Sequence, residues 1–114
     1  MPLLSIETNQ NLSDDGIQSL LEDASCQLSQ WLGKPERYVM VKFSHNPHMR
    51  FGGDTAPLAY LECKSLRLPE DRTAELSSHL TKLIQKHVGI SADRIYIEFS
   101  SPPRHLWGFN GNTF

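Results

Sequence analysis

Cysteine is scarce, with only Cys26 and Cys63 in 114 residues and no CxxC spacing. That excludes a disulfide-stapled scaffold and a cysteine-based metal site, and leaves buried, reduced thiols as the expectation. A charge excess is missing too. Eleven Lys and Arg stand against thirteen Asp and Glu, for a net charge of -2, and the basic residues are scattered. Nucleic acid is therefore not an expected partner. No apolar run approaches the length of a membrane span, and no basic start with a long apolar core marks a secretory signal. The expectation is one soluble domain, cytoplasmic by default, for which any export would follow a non-classical route. Asn11-Leu12-Ser13 spells a glycosylation sequon, read as chance without an export signal.

The periodicity that is present comes twice. Residues 2–8 alternate as a strand; Ser13, Asp14 and Asp15 supply an N-cap and first-turn acids; Ile17, Leu20, Leu21, Ala24, Leu28, Trp31 and Leu32 recur at helical spacing; Gly33 and Pro35 stop the helix. Residues 38–43 then form a second strand. After a loop over residues 44–57 the order returns: a strand at 58–63, a helix opened by Pro69 with Leu76, Leu80, Leu83, Ile84, His87 and Val88 on its stripe, Gly89, and a strand at 94–99. Pro2 to Glu7 lies over Pro57 to Glu62, and Gly33 before Phe43 matches Gly89 before Phe99. This reads as one domain over 1–114 with an internal pseudo-repeat, about 2–43 and 57–99. The fold class expected is α/β: duplicated β-α-β units forming a four-stranded mixed sheet with two helices on one face.

The other sheet face would carry Leu3, Met40, Leu58, Tyr60 and Tyr96 among Glu7, Lys42, Glu62 and Glu98. It is too apolar to stay fully wet, so a homo-oligomer that covers it is expected. Pro2 is the candidate for chemistry. Once Met1 is trimmed it is a free secondary amine heading an apolar strand, and desolvation favours its neutral, proton-accepting form. Its counterpart Pro57 is locked as an amide. The tail holds Pro102-Pro103, Trp107, Phe109 and a turn-like Asn110-Gly111, a cover for the core or a wall for a pocket. His45 and His48 flank Asn46-Pro47 with no third ligand evident, so no metal is assigned to them.

With Met1-Pro2, Gly33-Lys34-Pro35, Phe51-Gly52-Gly53, Ser65-Leu66, Asp93 to Ile97, Asn110 and Thr113-Phe114 in this order, the chain resembles the macrophage migration inhibitory factor family of the tautomerase superfamily from end to end. The resemblance implies the duplicated β-α-β fold, a homotrimer with helices outside, and active sites at subunit interfaces around the N-terminal proline. It implies a cofactor-independent isomerase that tautomerises aromatic α-keto acids such as phenylpyruvate, and dopachrome-type compounds, without metal. Pro2 would be the base; Lys34 would bind the substrate carboxylate or polarise its carbonyl oxygen, with the Ser65-Leu66 backbone lining the same pocket; Tyr96 and Phe109 would come from the neighbouring subunit to enclose the aromatic ring. Each has a plainer reading: Lys34 as a cation favoured after a helix C-terminus, Tyr96 as a strand aromatic, Phe109 as a core residue.

Departures from the family pattern shape the rest. Leu58 and Leu61 stand where some animal members carry a CxxC, so their thiol oxidoreductase activity is not expected. Glu98 stands where Asn is common, and a carboxylate there would repel an anionic substrate and favour protonated Pro2. Trp107 and Phe109 remodel the tail. The resemblance also offers a second reading, a cytokine-like signalling or binding protein with a vestigial site; it needs a host receptor, which nothing in the sequence supports.

Overall fold

β1 (Leu3–Thr8) alternates as its sequence does: Leu4, Ile6 and Thr8 are buried and Leu3, Ser5 and Glu7 face the other way. The computed structural model describes all residues, 1–114. α1 (Asp14–Leu32) begins where Ser13 Oγ accepts the Gly16 N–H at 3.1 Å, and ends at Gly33, whose φ of +62° is the left-handed cap that glycine adopts at little cost. β2 (Met40–His45) returns parallel to β1. β3 (Ala59–Lys64) runs antiparallel to β1, α2 (Thr73–Val88) follows, and β4 (Ile95–Ser100) lies parallel to β3.

The sheet order is β2-β1-β3-β4, so two parallel β-α-β units meet at an antiparallel seam. Both helices lie on one face. Leu20, Ala24 and Leu28 of α1 and Leu80, Leu83 and Ile84 of α2 share one cluster with Leu4, Ile6, Ala59, Leu61 and Cys63 of the central strands. Each fully buried Leu or Ile there is worth roughly 1.5–3 kcal/mol over its exposed state. The expected α/β class, with a four-stranded mixed sheet and two helices on one face, is the fold observed.

Boundaries differ where turns compete with the regular elements. A 3-10 turn at Glu36–Tyr38 precedes β2, so Tyr38 is not in the strand. Pro69 opens a 3-10 turn, Glu70–Arg72, and the α-helix starts only at Thr73, because Pro69 sits at ψ 89° and not in a helical conformation. Another turn, Ala92–Arg94, precedes β4. Arg94 leaves the strand to organise the preceding loop, donating to the carbonyls of Phe51 (2.7 Å), Asp54 (3.2 Å) and Ala56 (3.0 Å).

Leu58 is a correction. Expected on the open sheet face, it is only 3% exposed and precedes β3. Thr8 Oγ1 donates to its carbonyl at 2.7 Å and Asn9 Oδ1 accepts its N–H at 3.0 Å, which holds it inward. The rest of the open face is as expected: Met40 and Tyr96 are 63% and 65% exposed. The stripe residue His87 is satisfied, its Nε2–H donating to Asp23 Oδ2 of α1 at 2.7 Å.

Candidate active site

Pro2 is fully buried at the head of β1, and its carbonyl accepts the Met40 N–H at 3.0 Å. The strand register sets its surroundings: Leu3 pairs with Met40 of β2 on one side and with Lys64 of β3 on the other. At this end of the sheet a cavity of about 600 Å³ opens beside Pro2. Tyr38, Trp107, Phe109 and Phe114 give it an aromatic wall, and Arg37 and Lys64 are its cations.

The tail builds that wall. A 3-10 turn at Arg104–Leu106 leads into a hairpin of β5 (Gly108–Phe109) and β6 (Asn112–Thr113). Asn110 and Gly111 have φ of +52° and +75°, the positive pair that a tight two-residue hairpin turn requires and that Asn-Gly supplies. The turn returns Phe114 onto Phe109, rings stacked at 5.1 Å, while Phe109 meets Tyr38 edge-on at 5.7 Å. Arg37 lies over the Tyr38 ring at 4.7 Å. Phe109, expected from a neighbouring subunit, thus lines the cavity of its own chain.

A second cavity of about 220 Å³ is lined by Met1, Lys34, Leu66, Arg67, Arg104 and Phe114. Met1 and Phe114 line both spaces. The left-handed Gly33 turns the chain out of α1 so that Lys34 Nζ reaches across and donates to the Leu66 carbonyl at 3.1 Å. The Met1 amine is held below the usual α-amino range, first by burial and then by the Lys34 charge.

Of the residues singled out in the sequence, Pro2, Lys34, Leu66 and Phe109 come together around Met1. Ser65 is fully buried and lines neither cavity; its hydroxyl donates to the Leu66 carbonyl at 3.0 Å and its N–H to the Ser100 carbonyl at 3.1 Å. Tyr96 and Glu98 stand apart on the open sheet face. Tyr96 packs on Phe51 with ring centroids 4.5 Å apart, and Glu98 accepts the Tyr60 hydroxyl at 2.9 Å. The Tyr60 phenol also reaches Glu62 at 3.1 Å, and its pKa is pushed up to about 12, chiefly by the bond to Glu98.

Sequence reasoning missed Arg37, Lys64, Arg67 and Arg104. The strand register could have found Lys64, once β1 and β3 are paired; the two arginines beside Lys34 carry no local signal. No group of three or more His, Cys, Asp or Glu side chains stands close enough to hold a metal. Cys63 faces the core, where burial pushes its thiol up to about 11, and Cys26 is exposed on α1.

The family model described as macrophage migration inhibitory factor matches residues 1–114, the whole chain. The chain belongs to that family. Among macrophage migration inhibitory factor homologues, that of Brugia malayi is 34% identical, the match covering 100% of this chain and 99% of that one. The crystal structure of the Prochlorococcus marinus homologue is 42% identical with a TM-score of 0.92, covering 98% of each chain. The Toxoplasma gondii macrophage migration inhibitory factor structure also has a TM-score of 0.92, at 28% identity, covering 98% of this chain and 99% of its own. The family assignment accounts for the two-helix, four-stranded architecture; no helix is long and apolar enough to cross a membrane.

Proposed function

We propose that the protein is a keto-enol tautomerase of phenylpyruvate-like aromatic α-keto acids, and of dopachrome-type compounds, working from the amine of Pro2 after removal of Met1. The observation that carries this reading is Pro2 itself, fully buried beside an aromatic cavity with Lys34 close to the chain's first amine. Moving a proton from the carbon next to a carbonyl requires a base that is neutral near pH 7 and positive charge where the enolate oxygen develops. Burial and the neighbouring cation already depress the Met1 amine, and the Pro2 nitrogen lies one residue deeper in the same surroundings. Pro2 takes the proton from the carbon next to the carbonyl, the electron pair moves onto the carbonyl oxygen, and the proton is delivered to that oxygen to give the enol; the reverse direction retraces the same steps. Lys34 and the main chain at Leu66 receive the acid end, and the Phe109 and Tyr38 rings receive the aromatic end. The substrate's own carbonyl is the electron sink, so the reaction asks for no metal or organic cofactor.

In this reading the working form is a homotrimer. The exposed Met40 and Tyr96 on the open sheet face are then covered by neighbouring copies, and Tyr96 and Glu98, remote from Pro2 within one chain, are carried to a neighbour's site. The experiment is phenylpyruvate tautomerisation by protein whose N-terminus has been verified by mass spectrometry, with Pro2→Ala and a Met1-retained form beside it. Turnover falling at least about a hundredfold in both, with assembly unchanged, is the expected outcome. Equal turnover in all three forms would remove Pro2 as the base.

A further inference from the structure

The small cavity behind Met1 has a composition that a single carboxylate does not explain. Three cations, Lys34, Arg67 and Arg104, line it, and no Asp or Glu does, in a chain whose net charge is -2. Neither arginine makes an ion pair within the chain, and Lys34 Nζ has only the neutral Leu66 carbonyl. Phe114, also in the lining, brings no ion pair to them. Arg67 has a φ of +53°, a left-handed conformation uncommon for a residue with a long side chain. Within one chain these like charges have no ion-pair partner and repel one another, and the single Glu98 carboxylate that a neighbour would carry to the site leaves the three cations in excess over it, so the arrangement is satisfied when an anion enters.

Donor counting says what kind of anion. Each guanidinium offers a two-pronged fork and the ammonium adds further N–H groups, whereas one carboxylate has about four acceptor positions. Two forks and an ammonium exceed that number; a second carboxylate on the same ligand brings the acceptors up to the donors. We propose that this cavity binds a doubly charged acid head, so that the substrate is an aromatic α-keto diacid and Arg67 and Arg104 are further substrate-binding residues. The proposal rests on the tautomerase reading for its reaction, but the anion site can be tested without turnover. Met1 and Phe114 line both cavities, and in this proposal the removal of Met1 opens the one toward the other: the diacid end lies with Lys34, Arg67 and Arg104, and the ring extends past Pro2 to Phe109.

The test is calorimetric binding of succinate, whose carboxylates are spaced as in an α-keto diacid of this kind, and of acetate at low ionic strength to protein lacking Met1, with Arg67→Gln, Arg104→Gln and the double variant. Succinate is expected to bind at least about tenfold more tightly than acetate, with the preference falling in each single variant and vanishing in the double one. A parallel comparison of initial-rate kcat/KM for phenylpyruvate and for its freshly prepared analogue with a second carboxylate on the methylene carbon, a β-keto acid that loses carbon dioxide to give phenylpyruvate, should show the same preference and the same loss. Equal binding of the two acids, or a preference that survives the double variant, would overturn the proposal. Phenylpyruvate turnover without succinate preference overturns the anion site alone. Succinate preference without turnover of either keto acid upholds the anion site and overturns the tautomerase.

Discussion

Replacing Asp23 by Ala removes the carboxylate that ties α1 to α2. Its Oδ2 accepts from His87 Nε2 at 2.7 Å and from Lys86 Nζ at 3.2 Å, with the Asp23 and His87 side chains 22% and 10% exposed. The bond from His87 is the first cause, with Lys86 adding to it, that holds the Asp23 carboxyl below its usual range. A hydrogen bond to a charged group contributes roughly 1.5–3 kcal/mol, and partial exposure places this one at the lower end, about 1.5 kcal/mol. For a domain of this size that is a fall in Tm of about 6 °C. The group's folded pKa is depressed, so its contribution is fully present above the ordinary carboxylate value near pH ~4 and is lost as pH falls through the lower folded value. Thermal or denaturant unfolding of both proteins at equal concentration, from pH 7 down to pH 3, is the assay. The deficit of Asp23→Ala should be constant near neutrality and shrink in acid; a deficit unchanged at pH 3, or none at pH 7, would refute the reasoning.

Thr8→Val keeps the shape of a fully buried side chain while removing a hydroxyl that donates to the Leu58 carbonyl at 2.7 Å and accepts the Gln10 N–H at 3.1 Å. Leaving those groups unpaired should cost roughly 1–3 kcal/mol in denaturant unfolding. Glu98→Gln removes the first cause of the raised Tyr60 phenol, so ultraviolet titration should show Tyr60 ionising at lower pH than in the parent, where it lies near 12; an unchanged titration curve would mean that Glu98 is not its partner in solution.

The sequence alone determined the two amphipathic helices, the alternation of all four main strands, the caps at Ser13, Gly33 and Gly89, and a turn at Asn110-Gly111, because each is a local preference written in adjacent residues. It also singled out Pro2, by its own chemistry, and Lys34, Leu66 and Phe109, by family resemblance, all of which the structure gathers around Met1. Tertiary structure decided what local pattern cannot carry. Leu58 has the parity of the open face yet is drawn inward by Thr8 and Asn9, forty-nine residues or more away in the chain. Ser65 spends its hydroxyl and N–H on neighbouring carbonyls and stays out of both cavities. The gathering of Lys34, Arg67 and Arg104 behind Met1 joins the end of α1, the loop after β3 and the turn before β5. No spacing along the chain announces that meeting; it exists because the antiparallel seam between β1 and β3 brings the head of one β-α-β unit beside the end of the first strand of the other.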